Sequence, residues 1–389
     1  MAFQGSQLAY DVQVDSSSLR GPARLSVSAD GLALTTASQR VLIPYAHLTA
    51  FTRQGYALQI TTDDERYTCS GFGALLEPFI LELTTVYNQA VLKGLFVGGE
   101  PSLVAEGDFR YQEADRGAQG RAILQVYDNC LCILPPDDQA RRVPFVFVSD
   151  LVKGNFELTL VLASGERYTL ARLGANTDPF ETCIRGKLHT LQQNALDAIQ
   201  RLDARLDPSQ LTAIAHLMPH GVAAPIGALA AISPAYVGAL EHLIGDSSAA
   251  EEYLALKQIC DPDQICVGIR PGFDQPNEAL WFIAPSSTKP VAAVEWATSE
   301  DEAAATFIYS LQGDQATFVA KINQAMEAIA FRREVITIAE EKLRDLANAE
   351  YYLAIRRTRA VQLLRSALTG RVIHSSLQTW TNQIRTHLT

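Results

Sequence analysis

The sequence contains an echo of itself. Glu65-Arg66-Tyr67-Thr68 returns as Glu166-Arg167-Tyr168-Thr169, and Glu77-Pro78-Phe79 returns as Asp178-Pro179-Phe180, both displaced by 101 positions. Two words displaced by one spacing mark two copies of one folding unit of about 100 residues, a size able to close its own core. The segments between the words keep their order. Residues 8–14 alternate apolar and polar as a half-buried strand does, and Phe109-Arg110-Tyr111 answers them. Residues 23–28, the turn Asp30-Gly31 and Leu32-Ala33-Leu34 read as a hairpin, because Asp-Gly supplies the positive φ of a tight turn. The second copy offers residues 122–126, Asp128-Asn129 and Leu131-Cys132-Ile133. Residues 40–45 correspond to 141–145, and Leu58 and Ile60 to Leu158 and Leu160.

Each copy closes on an amphipathic helix. Leu76, Phe79, Ile80, Leu83, Val86, Tyr87 and Val91 recur at three- and four-residue steps, as do Phe180, Ile184, Leu188, Leu191, Ala195, Ile199 and Leu202. Pro78 and Pro179 fall in the first turn, where a missing N–H costs nothing. Each copy therefore reads as seven short strands and a helix that covers one end of a small antiparallel barrel.

Strands in this order with a single C-terminal helix resemble the pleckstrin-homology (PH) superfold. Two fused in tandem resemble the middle domains of FACT/Rtt106-type histone chaperones, to which Ile43-Pro44-Tyr45 and Gly165-Glu166-Arg167-Tyr168-Thr169 are locally similar. The resemblance implies binding of histones and related partners, and it ends near residue 205. Fold alone does not carry function.

Beyond it the character changes. Asp207-Pro208 reads as an N-cap and first helical residue, and from Pro208 to Leu240 the ionisable side chains are His216, His220 and Tyr236. Pro219, Pro225 and Pro234 with Gly221, Gly227 and Gly238 break this apolar stretch into short buried helices rather than a membrane-inserting segment. Ser233-Pro234 opens one helix, ending at Gly245, and Ser248-Ala249-Ala250-Glu251 reads as the capping box of the next. Residues 265–269, 280–284, 291–296 and 306–311 alternate as four strands, separated by turns such as Pro271-Gly272 and Ser286-Ser287-Thr288. A helix from Asp314 carries Phe318, Ile322, Met326, Ile329, Ile336, Leu343 and Leu346 for close to 30 residues. A second covers 350–368 and stops at Gly370, and a last one holds Ile373, Leu377, Trp380, Ile384 and Leu388.

The predicted fold is therefore α+β, in four segments: PH-like modules at 1–100 and 101–206, an α+β region at 207–313, and a helical hairpin or coiled-coil arm at 314–389. An apolar stripe alone cannot choose intramolecular packing of that arm over homo-oligomerisation.

The charge is uneven. Residues 1–200 carry 16 basic and 22 acidic groups, 201–330 carry 6 and 16, and 331–389 carry 10 and 5, within a total of −11. The basic tail suits an acidic partner or the chain's own acidic middle. Arg356, Arg357 and Arg359, joined by Arg332, Arg333 and Arg365, form its candidate contact surface, since guanidinium forks grip carboxylates and phosphates in pairs. The competing reading is a solvated face with local pairs to Glu334 or Glu350. The acidic whole argues against nucleic acid.

Catalytic sets do not emerge. Gly71-Phe72-Gly73 and Gly98-Gly99 lack the context of a dinucleotide loop, and no phosphate-loop motif is present. Ser286-Ser287-Thr288-Lys289 matches S-x-x-K without its partner motifs. His216 and His220 have a metal-binding spacing, but Pro219 lies between them and no Glu completes the set. Asp261, Asp263 and Asp274 lack the calcium-loop pattern. The six cysteines (Cys69, Cys130, Cys132, Cys183, Cys260, Cys266) contain no C-x-x-C pair and read as small hydrophobes. The early hairpins carry no basic pocket for a lipid headgroup, which disfavours a membrane role. Residues 1–6 lack the basic and apolar regions of a secretory signal. The expectation is a cytoplasmic, non-enzymatic scaffold without metal or cofactor, binding a protein through its modules and basic arm. The alternatives are an acidic histone-chaperone-like binder of small basic proteins and a membrane-associated adaptor.

Overall fold

The structure is a computed structural model that describes residues 9–113, 116–271, 278–297, 305–311, 313–343 and 345–389. Gly272 of the expected turn, Asp274, and the start of the first strand at Leu8 lie outside the described residues, while Pro271 is the last residue of a strand. The chain is α+β and its sheets are antiparallel.

The first copy contains β1 (Ala9–Asp15), β2 (Arg20–Val27), β3 (Gly31–Thr35), β4 (Arg40–Pro44), β5 (Leu48–Gln54), β6 (Ala57–Thr62), β7 (Arg66–Ser70) and α1 (Leu76–Gly94). The second contains β8 (Leu103–Glu113), β9 (Arg116–Val126), β10 (Cys130–Leu134), β11 (Arg141–Pro144), β12 (Val148–Lys153), β13 (Glu157–Leu162), β14 (Arg167–Ala171) and α2 (Thr177–Leu202). Their sheets have one topology: β4-β3-β2-β1-β7-β6-β5 and β11-β10-β9-β8-β14-β13-β12. The likeness extends to irregularities. β5 shifts register between Leu48 and Ala50, and β12 between Val148 and Asp150. At each bulge a hydroxyl donates across to the neighbouring strand, Thr49 to the Thr61 carbonyl and Ser149 to the Val161 carbonyl.

The copies differ where the backbone turns left-handed. Gly55 has φ +61°, and in the second copy Phe156 adopts the same angle although a side chain there is strained. The first core gathers Leu25, Leu32, Leu34, Phe51, Leu58, Ile60, Phe79, Leu83, Tyr87 and Val91. It is joined by Tyr127, Cys130, Cys132 and Leu134 of the second copy. The 136–138 segment also lies along β5, where Phe51 N–H donates to the Pro136 carbonyl and Asp138 N–H to the Thr49 carbonyl.

The remaining elements are α3 (Pro208–Leu217), β15 (Ala224–Pro225), α4 (Ile226–Ile232), α5 (Pro234–Gly245), α6 (Ala250–Ile259), β16 (Cys266–Pro271), β17 (Glu278–Pro285), β18 (Val291–Ala297) and β19 (Ala305–Ser310). They are followed by α7 (Gln315–Ala328), α8 (Glu334–Thr337), α9 (Ala349–Arg357), α10 (Arg359–Ala367), β20 (Leu368–Ile373) and α11 (Leu377–Leu388). β15 to β20 form one six-stranded sheet in sequence order. Ile214, Leu229, Tyr236, Leu240, Leu256, Trp380 and Ile384 pack with Val267, Phe282, Ala284 and Ile308 of its strands. Trp281 and Ile283, on the other face of β17, are equally buried.

Local signals hold at several helix starts. Asp207 caps α3 in a reciprocal box with Gln210, and the Ser233 hydroxyl accepts from Tyr236 N–H. The expected box at Ser248 does not form: α6 starts after Ala249 with no side-chain cap, while Ser247 takes the Ala249 N–H.

The expected arm at 314–389 is not one body. The first compact unit comprises Met1–Ile184 and Ala328–Gln362, and the second Arg185–Glu327 and Leu363–Thr389. The helix from Asp314 ends at Ala328, because Ala330 and Phe331 turn left-handed at φ 50° and 60°. The helix expected over 350–368 is split at Thr358, whose backbone is extended. Gly370, expected as a helix stop, lies within β20 opposite Ile308.

Candidate protein-interaction surface

The six arginines proposed as one contact face are divided by the fold. Arg365 belongs to the second unit, and the other five to the first. Arg333 and Arg357 are buried, each 5% exposed. Arg332 pairs with Glu350 at 3.3 Å and sits 5.7 Å from the Phe96 ring centre. Arg356 pairs with Asp63, Arg357 donates to the Leu48 carbonyl, and Arg359 reaches both Glu113 and the Tyr111 hydroxyl. Arg356, Arg357 and Arg359 thus reach acceptors on the repeat modules, while Arg332 makes the local pair with Glu350 that the competing reading expects.

The seat is built by α1 and the turn before β5. Leu353 and Ala354, one turn ahead of Arg357 and Thr358 on α9, are buried, and a Cβ at Gly94 would overlap the Leu353 methyl. Two helix backbones can approach here only because α1 ends in glycine. Tyr352 meets His47 edge-to-face at 5.2 Å, and His47 Nδ1 lies 3.4 Å from Asp63. Among the described residues, the Nε atoms of Arg356 and Arg357 are buried without a hydrogen-bond partner.

Next to Arg359 lies a polar cluster that links the repeated word to this surface. Tyr111 and Tyr168 stack at 5.0 Å, Tyr168 donates to Glu166 at 2.8 Å, Tyr111 donates to Glu113, and Arg141 lies 5.3 Å from the Tyr111 ring. Burial pushes the Glu166 carboxyl above its usual range. Burial also pushes Glu113 up, but hydrogen bonds from Tyr111 and Arg359 outweigh it and hold its carboxyl low. The counterpart of Glu166 in the first copy does something else. Glu65 accepts from the Ser17 hydroxyl and from the Ser18 N–H and hydroxyl at 2.6 to 2.7 Å. Burial opposes these bonds, but they hold its carboxyl well below the usual range. One word thus ties together two loops 47 to 48 positions apart in one copy and joins a charged cluster in the other.

The remaining candidates resolve into structural roles. Ser286 accepts from Thr288 and Lys289 N–H while donating to the Leu388 carbonyl, and Lys289 Nζ donates to the Thr386 carbonyl at 2.9 Å. The S-x-x-K word therefore holds the end of α11. α3 ends at Leu217, so His216 and His220 do not share a helix face. His220 instead lines a cavity of about 160 Å³ with Asn194, Asp197, Arg201 and Arg270. Asp261 accepts from Asp263 N–H at 3.1 Å in a turn. Among the described residues, no group of three or more His, Cys, Asp or Glu is placed to hold a metal.

Sequence reasoning missed one group entirely. Glu295 is 1% exposed and accepts from Thr306, with His374 Nε2 at 2.9 Å, while Trp380 Nε1 donates to Thr306 Oγ1 at 2.8 Å. Carboxylate, imidazole and hydroxyl suggest a catalytic triad by composition, but Thr306 is fully buried and its proton goes to Glu295. The group pins α11 to β18 and β19. No sequence spacing could reveal it, since 79 residues separate Glu295 from His374.

No family model and no curated protein matches the chain. Among solved structures it is similar to a chain described as "Structure of the Spt16D Pob3N heterodimer". The identity is 10%, the match covers 41% of this chain and 85% of that one, and the TM-score is 0.19. A likeness at that level carries no argument about function. Among the described residues, no helix is long and apolar enough to cross a membrane.

Proposed function

We propose that the chain is a non-enzymatic protein-binding scaffold built on two tandem PH-like modules. The observation that carries this reading is the repeated strand order, β4-β3-β2-β1-β7-β6-β5 and its copy, each followed by a helix. Such a frame presents sheet edges and inter-module surfaces to extended or helical segments. The binding reading is also supported by the polar groups that resemble catalytic sets, which are engaged in holding strands and helix ends. The test is a native pull-down with the full chain, followed by cross-linking and mass spectrometry. Stoichiometric partners cross-linked to residues 9–184 are expected. Recovery of partners cross-linked solely to the second unit, or steady turnover of a small molecule by the purified chain, would sink the reading.

A further inference from the structure

We infer that the seat of α9 is a docking site for an arginine-bearing amphipathic helix of a partner protein, and that residues 349–359 occupy it in cis as a placeholder. The inference rests on the scaffold reading above and names the class of partner. The seat is made of acceptors: the Leu48 and Gly94 carbonyls, the Asp63 and Glu113 carboxylates and the Tyr111 hydroxyl. Between them lies the notch at Gly94 that takes a leucine. A ligand must therefore offer an apolar residue followed in the next turn by guanidinium groups, with one more just past the helix end, which is the pattern of Leu353, Arg356 and Arg357 on α9 and Arg359 beyond the break at Thr358. Residues 1–184 carry 14 basic and 21 acidic groups, so the surrounding field favours a cation.

The cis occupant is an imperfect ligand. Its two buried Nε–H groups lack acceptors among the described residues, and buried unpaired donors weaken a docked state. α9 has nine residues and no side-chain N-cap, too short to hold a helix by itself once released. Residues before Ala328 and after Gln362 belong to the second unit, so the segment stays tethered when it leaves the seat.

The probe is a fluorescein-labelled peptide copying residues 345–362, titrated by anisotropy against the full chain. The R356E/R359E chain, whose own helix is mismatched to the seat, is expected to bind it at least tenfold more tightly than wild type. That gain should fall steeply with salt and disappear when D63K and E113K are added. Equal affinity in wild type and R356E/R359E overturns the inference. If R356E/R359E does not fold, the wild-type chain decides: in a 15N-labelled chain, whose amides are read apart from the peptide's, saturating unlabelled peptide should accelerate exchange in residues 349–357 at least tenfold, and unchanged exchange refutes the proposal. Light scattering separates a second copy from a foreign helix. A dimer abolished by R356E/R359E in a chain that ignores the peptide assigns the seat to self-association and overturns the proposal. Failure here, with partners still cross-linked elsewhere on the modules, leaves the scaffold reading standing.

Discussion

Gly94→Ala tests whether the basic helix is a docked element. The added methyl would overlap Leu353, which is 3% exposed, and would lie 3.3 Å from the Ala354 nitrogen. One extra carbon forced into a filled contact costs about 1–3 kcal/mol. Leu353 can relieve part of this by turning its terminal methyl, so the lower half of that range applies. Alanine at the end of α1 returns roughly 0.5–1 kcal/mol through helix propensity, but that gain strengthens α1 and not the docking of α9. The two effects therefore separate in space. Hydrogen exchange with peptide resolution should show the amides of α9 opening about five- to tenfold faster, corresponding to about 1–1.4 kcal/mol, while β6, β7 and the body of α1 exchange no faster than in wild type. Exchange unchanged in α9, or raised equally through the first module, would refute the account in which Gly94 exists to admit Leu353.

Three further outcomes follow from the same geometry. Gly268→Ala would drive a methyl into the fully buried Trp281 indole, whose Nε1 donates to the Gly221 carbonyl at 2.9 Å; overpacking plus a lost buried hydrogen bond should cost about 3–5 kcal/mol. Trp281, Trp296 and Trp380 all belong to the second unit, so tryptophan fluorescence during guanidinium unfolding reads that unit alone; a loss under about 1 kcal/mol contradicts the packing argument. Glu65→Gln should destabilise the first module by about 1–2 kcal/mol at neutral pH, discounted for solvent screening. Because the Glu65 carboxyl is depressed on folding, its contribution is present above the unfolded value near 4.3 and is lost as pH falls through the folded value. The gap between wild-type and variant melting temperatures should therefore close in acid, and a gap constant down to about pH 2 would contradict the assignment. Phe156→Gly removes a left-handed side chain that is 77% exposed, relieving about 1–2 kcal/mol of strain against roughly 0.5–1 kcal/mol of added chain entropy. Its urea midpoint should rise and that of Gly55→Phe should fall; the opposite pair of shifts would break the equivalence of the two hairpins.

The repeat was legible because its signals are local. Each displaced word is itself a short run of residues, and alternation, the 3.6-residue stripes of α1 and α2 and the caps at Asp207 and Ser233 likewise depend on near neighbours in the chain. The misread places lack such signals. No glycine or proline marks the end of α7, which stops where Ala330 and Phe331 turn left-handed. Gly370 reads as a stop by type, yet β20 is fixed by the open edge of β19.

Sequence alone determined two like modules of seven strands and a helix, an acidic body and a basic C-terminal region. Tertiary structure decided what the arginines do. Arg356 and Asp63 are 293 positions apart, Arg357 and Leu48 are 309 apart, and Arg359 and Glu113 are 246 apart. A guanidinium run looks the same in a sequence whether water or a carboxylate receives it. Its exposure is set by the free energy of burying Leu353 and Ala354 against α1, a term that exists only once both surfaces have formed.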